Sequence, residues 1–160
     1  MKLAVIATAT ALLAIAANVS AQQKNLDTWR FEGGPDRFSE KKRCHLNSPI
    51  GKQLALSFQG GELYLVSNNL AAMVDGGNLK LRIDQNPVTE SYTRNITANT
   101  AAADAYTISA GGAVFDQMLK GKVMSVRVVT SRGGLDQDFS LRTAAAAVKS
   151  YKQCLIEKDK

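Results

Sequence analysis

Residues 122–154 constrain the fold most, because three different patterns follow one another there without a gap. Met124, Val126 and Val128 alternate with Ser125 and Arg127, the period-two signature of a half-buried strand. Ser131-Arg132-Gly133-Gly134 then punctuates the chain, since glycine supplies the positive φ that a tight turn needs. Alternation resumes with Leu135, Phe139 and Leu141 against Asp136, Asp138 and Ser140. Placing Thr130 opposite Leu135 sets Val126 against Phe139 and Met124 against Leu141 on one face. Arg127 then meets Asp138 on the other. A slip of one residue would carry Asp138 to the core face, so the pattern selects against it. After Arg142 the period lengthens. Ala144, Ala147, Val148, Tyr151 and Leu155 fall on one helical face, with Thr143 as its expected N-cap and Cys154 beside the apolar stripe.

The other end of the chain reads as an address rather than as structure. Lys2 precedes an apolar run from Leu3 to Ala17, and Val19-Ser20-Ala21 fits the small-residue cleavage rule. The run is short for a membrane span and gives way to polar Gln22-Gln23-Lys24. The expected organisation is a signal peptide over 1–21 and a single disulfide-stapled β-rich domain over 22–160, exported to the periplasm or secreted. No transmembrane segment is expected in the mature chain. Export makes nucleic acid an improbable partner even though the formal net charge is +6. It also sets the expectation for Cys44 and Cys154, the two cysteines of the chain. In an oxidising compartment they pair, closing a loop worth up to about 4–5 kcal/mol in the chain-entropy model. The other arrangement is two buried thiols.

Between these ends the chain reads as short strands and glycine turns. Trp29 and Phe31 suggest a first strand, broken by Gly33-Gly34-Pro35-Asp36. Lys41-Lys42-Arg43 is a basic run, either a solvated strand edge or a site for an anionic partner. Cys44 and Leu46 would point one way, Arg43 and His45 the other. Leu54, Leu56 and Phe58, then Gly60-Gly61, then Leu63 and Leu65 form a hairpin pattern. A two-residue turn pairs Gln59 with Glu62, Phe58 with Leu63 and Leu56 with Leu65. Leu70–Val74 is a further apolar run. Leu79, Leu81 and Ile83 mark a half-buried strand, Ser91–Ile96 another, and Tyr106–Ile108 a short one. Thr97–Asp104 is small and polar and reads as a loop. Val114, Phe115, Met118 and Leu119 recur at helical spacing, with Gly121 as C-cap. The expected fold is mostly β, an antiparallel β-sandwich or barrel with one short helix and a C-terminal helix.

Chemistry is hard to assemble from these residues. His45 is the one histidine and adjoins Cys44, but neighbours on a strand face opposite ways and Cys44 is the expected half of the disulfide. Two cysteines and one histidine, without C-x-x-C or H-x-x-x-H, do not make a zinc site. Asp136 and Asp138 share a strand face, where Arg127 neutralises one of them. The paired glycines form no phosphate-binding pattern. No catalytic residue, cofactor site or metal site is therefore expected.

A resemblance runs through the second half. The Leu79–Asp84 strand, Val114-Phe115-Asp116-Gln117-Met118-Leu119-Lys120-Gly121-Lys122 with the strand after it, and Phe139-Ser140-Leu141 before an alanine-rich helix resemble, in this order, the invasion-associated locus B family of small exported bacterial proteins. The resemblance spans roughly Leu79 to Tyr151. It implies a periplasmic or surface β-sandwich domain without known catalysis, linked in some pathogens to host-cell entry. Asn95–Ala105 lacks the second cysteine pair of many members, and Arg142-Thr143 stands where members carry glycine and an aromatic. No functional residue carries over.

The expected function is a non-enzymatic exported binding domain, envelope- or host-associated, whose partner is a protein or an anionic envelope component. The alternative is a proteinaceous inhibitor of a secreted enzyme such as a lysozyme. The export reading has a direct check. Mass analysis of the exported protein should give an N-terminus at Gln22, and a retained Met1 in the exported pool would contradict it.

Overall fold

Two hairpins organise the β structure, and each is joined by a two-residue connection. In the computed structural model, which describes residues 27–36, 38, 41–59, 62–67, 77–97, 100–104, 113–130 and 133–158, strands β3 (Ala55–Gln59) and β4 (Glu62–Val66) pair in the expected register. Gln59 meets Glu62, Phe58 meets Leu63, and Leu56 meets Leu65. The second hairpin, β8 (Val123–Thr130) and β9 (Gly133–Ser140), differs from expectation by two residues. Thr130 pairs with Gly133, Val128 with Leu135, Arg127 with Asp136, Val126 with Gln137 and Met124 with Phe139. Gly133 adopts φ 114°, which lets the strand begin directly after a two-residue connection. A shift by an even number keeps every side chain on its face, so alternation alone does not separate the two registers. Met124, Val126, Phe139 and Leu141 are all buried as expected, with Leu141 N–H donating to Lys122 O at 2.8 Å.

The remaining strands are β1 (Arg30–Pro35), β2 (Lys42–Asn47), β5 (Asn78–Ile83), β6 (Thr89–Thr97) and β7 (Thr100–Asp104). All pairings are antiparallel, in the order β1-β2-β3-β4-β7-β6-β5-β8-β9. Strand β6 belongs to both halves of this ladder. Its first part pairs with β5, from Thr89 to Tyr92, and its last part with β7, from Thr93 to Thr97. At the changeover Thr93 donates from both its amide and its hydroxyl to Gly77 O, at 2.8 and 2.9 Å. The two halves bury one face each, which makes a sandwich. Strands β1 and β9 end the ladder without pairing, so it is not a closed barrel.

Two expectations about strands are corrected. Gly33-Gly34-Pro35 does not break β1 but completes it, opposite Cys44, Arg43 and Lys42. Proline is tolerated there because β1 is an edge strand and needs no amide on its outer side. The Phe31 ring covers Gly33 so closely that a Cβ there would lie 2.2 Å from its Cζ. Residues 100–104, read as loop, form β7, since pairing with β4 on one side and β6 on the other outweighs the low strand preference of alanine. The expected segments Leu70–Val74 and Tyr106–Ile108 lie outside the described residues.

Helices α1 (Ala113–Lys120) and α2 (Ala144–Lys158) complete the core. Phe115 of α1 stands between Phe58 of β3 and Tyr151 of α2, with ring centroids 5.2 and 5.3 Å apart. Burial pushes the Tyr151 hydroxyl up to about 12. Gly121 ends α1, and a Cβ there would meet Ile83 Cγ2 at 2.5 Å, so close approach demands the glycine. Cys44 of β2 and Cys154 of α2 form the expected disulfide, Cα to Cα 5.9 Å. The Thr143 hydroxyl, expected to cap α2, accepts from the Trp29 amide at 3.3 Å. Trp29 also donates from Nε1 to Ser140 O at 2.9 Å and packs edge-on against Phe139. One side chain thus joins the approach to β1 to the end of β9.

Phe139 is 2% exposed between Met124 and Trp29, whereas Asp138 faces solvent. Phe139→Ala should therefore cost about 3–5 kcal/mol in denaturant unfolding. Asp138→Ala should stay within about 0.5 kcal/mol. Equal costs for the two would contradict this placement.

Candidate functional site

Because strand side chains alternate, burying one face of each half leaves two outer faces on which polar residues collect. On the first half, cross-strand rows bring Asn47, Ser57 and Tyr64 together, and Glu32, His45, Gln59 and Glu62. Several of these groups bond to one another. Ser57 Oγ donates to Asn47 Oδ1 at 2.6 Å, and Tyr64 OH donates to Glu62 Oε2 at 2.7 Å. Arg94 forms an ion pair with Glu62. The hydrogen bond to Glu62 raises the Tyr64 pKa above its ordinary value.

His45 is half-buried on this face, opposite in direction to buried Cys44, as strand geometry requires. Its cross-strand neighbours are Glu32 and Gln59. The sequence alone offers no such neighbour for the imidazole, because strand pairing supplies it. Both thiols are consumed in the disulfide, with Cys44 4% and Cys154 3% exposed. Among the described residues, no three His, Cys, Asp or Glu side chains converge as a metal set.

The basic run is also spoken for. Lys42 pairs with Glu157 on α2, and Arg43 pairs with Asp36, leaving Lys41 exposed ahead of β2. The hydrogen bond from Lys42 holds the Glu157 carboxyl below the usual carboxylate range. The depression beside this pair, between Phe31, Gly34 and Gln153, is thus spanned by an ion pair. The solvated strand edge expected for the run is occupied in part, since β1 pairs along Lys42 and Arg43.

The second half differs. Its outer face holds a groove of 430 Å³ over β5, β8 and β9. Register places two rows of side chains across it. The first runs Glu90–Lys80–Arg127–Asp136. Lys80 and Arg127 are like charges directly opposite, an unfavourable pairing in isolation. Each is neutralised from its far side. Lys80 Nζ lies 2.9 Å from Glu90 Oε1. Arg127 holds Asp136 with two parallel bonds of 2.6 Å, from Nε to Oδ1 and from Nη2 to Oδ2. The second row runs Arg82–Ser125–Asp138, and Arg82 and Asp138 have no ion-pair partner among the described residues. Arg127 does neutralise one of the paired aspartates, but Asp136 rather than the expected Asp138.

Asp84, with φ 49°, accepts the Lys122 and Val123 amides on its carboxylate at 3.0 Å, and so locks β5 to the start of β8. Val88, 48% exposed, lines the groove beside the rows. Sequence reading missed this site because its residues come from separate strands and none forms a local motif. The connections 60–61, 98–99, 105–112 and 131–132, where an inhibitor loop would be sought, lie outside the described residues.

No protein-family model and no curated protein matches the sequence. Among solved structures, the chain is similar to the crystal structure of invasion associated protein B from Bartonella henselae. The TM-score is 0.54 at 14% identity, over 84% of this chain and 96% of that one. The likeness is one of fold, and at that level it bears out the resemblance read from the sequence.

The Arg127 pair has a pH signature. Its hydrogen bonds hold the Asp136 carboxyl below the usual range. A depressed folded pKa means that the stabilisation is present above the unfolded value of about 3.9 and is lost as pH falls through the folded value. Because both side chains are well exposed, the loss should be only about 0–1 kcal/mol. Carboxyl NMR titration should place Asp136 below an ordinary aspartate, and Arg127→Gln should move it back up. An unchanged Asp136 titration in that variant would contradict the pairing.

Proposed function

We propose that the protein is an exported, non-enzymatic binding domain whose contact surface is the grooved outer face of β5, β8 and β9. The observation that carries this reading is the contrast between the two outer faces. On the first half Asn47 and Ser57 engage each other, as do Tyr64, Glu62 and Arg94, while the two charges of the groove's Arg82–Ser125–Asp138 row have no ion-pair partner among the described residues. Such a row is available to another molecule at little desolvation cost to the fold.

Export is supported by the signal-like residues 1–21 and by the Cys44–Cys154 bond, which forms stably in oxidising compartments. Among the described residues no helix is long and apolar enough to cross a membrane. The neighbour of like fold is called an invasion associated protein, which agrees with an interaction role outside the cytoplasm. The absence of catalysis is supported by placement. The imidazole of His45 lies on the other half of the ladder from the groove, and the thiols are buried in the disulfide.

The test is affinity capture from envelope extract with the exported protein as bait. Ser125→Tyr places a ring in the middle of the groove at a position where a strand tolerates it. The partner should be retained by the wild-type chain and by His45→Ala, and lost with Ser125→Tyr at unchanged melting temperature. Retention that ignores Ser125→Tyr would overturn the assignment of the surface. Turnover of any substrate that disappears in His45→Ala would overturn the non-enzymatic reading.

A further inference from the structure

We propose that the Arg82–Ser125–Asp138 row binds a short peptide with free ends, its carboxylate on Arg82 and its ammonium on Asp138. The inference rests on the reading of the groove as a binding surface and adds the chemistry of the ligand.

Three observations carry it. The first is the pattern of neutralisation. Within one groove, the row through Lys80 and Arg127 is balanced by Glu90 and Asp136, but the next row keeps a cation at one end and an anion at the other. Arg82 and Asp138 are both exposed and are held apart by the whole width of β8. A ligand complementary to this row must itself carry two opposite charges.

The second is span. Arg82 on β5 and Asp138 on β9 are separated by two inter-strand spacings, about 10 Å. An extended chain advances about 3.3–3.6 Å per residue, so three residues cover about the same distance. Single amino acids are too short to reach both ends at once.

The third is the lining. Ser125 sits between the charges, and its hydroxyl both donates and accepts, as a peptide amide crossing it requires. Arginine at the carboxylate end offers a planar fork that takes two oxygens together. Val88 gives apolar contact for a side chain near the Arg82 end. The volume of 430 Å³ falls in the range of about 300–1,000 Å³ typical of small-ligand sites.

The experiment is amide NMR titration of the exported protein with trialanine, N-acetyl-trialanine and trialanine amide. Free trialanine should give saturable shifts at Ser125 and its row neighbours. Capping either end should weaken binding at least tenfold. Arg82→Gln should abolish the preference for a free carboxylate while keeping that for a free amine, and Asp138→Asn should do the converse. Both positions are exposed, and unchanged melting temperatures verify the fold of each variant. Absence of saturable shifts, equal binding of the capped peptides, or insensitivity to both substitutions would overturn the inference. If trialanine fails while capture of the envelope partner remains sensitive to Ser125→Tyr, only the peptide assignment falls. If both fail, the binding surface itself is wrongly placed.

Discussion

The bond between Cys44 and Cys154 ties the second strand to the last helix across 110 residues, and every element from β3 to the body of α2 lies inside that loop, with Trp29 and β1 ahead of it. The need for it follows from the helix. Much of the stripe that α2 buries is alanine, with Ala144 and Ala147 beside Val148 and Tyr151. Alanine removes little apolar surface from water, so docking yields less per turn than a leucine stripe would. Small side chains do let the helix lie close to the sheet, where Tyr151 reaches Phe115. The covalent link then supplies by loop closure what the face lacks in area, up to about 4–5 kcal/mol. The Lys42–Glu157 pair lies beside it and orients the end of the helix without adding much energy.

With α2 held, the sandwich is completed by continuity rather than by closure. Strand β6 passes from one half of the ladder to the other, so the buried faces need no separate hinge. Trp29 links the ends of the ladder, reaching Phe139 and Ser140 from the approach to β1. An indole fills this corner because it offers a large apolar face and one donor, and the donor finds a carbonyl. Both termini of the described chain thus hold the structure shut, one through a disulfide and the other through a tryptophan.

Much of this was legible in the sequence, and the misses share a physical cause. Period-two alternation identified the buried faces of β3, β4, β5, β8 and β9, because burial selects parity. The Gly60-Gly61 hairpin was placed in register since a two-residue turn leaves no choice. The β8–β9 hairpin was not, since Gly133 and Gly134 sit beside its turn and two registers of equal parity compete. Alanine-rich β7 was missed because its neighbours, not its own residues, make it a strand. Gly33-Gly34-Pro35 read as a break because edge position is a property of the sheet. Thr143 looked like a cap, but its hydroxyl receives the Trp29 amide, a contact 114 residues away in sequence.

The same register shift decides the chemistry of the groove. In the expected pairing Arg127 would neutralise Asp138, leaving Asp136 beside the Lys80 row. In the structure Arg127 takes Asp136, and the unpaired carboxylate moves one row along, into line with Ser125 and Arg82. Core packing is indifferent to this choice, since both registers bury Met124, Val126 and Phe139. Exposed ion pairs contribute only about 0–1 kcal/mol, so the outer face exerts little leverage on the fold. The inner face sets which side chains are buried, the turn sets which acid stands free, and the free acid sets what the groove recognises. That order of control explains why a pattern read from hydrophobicity finds the sandwich and not the site.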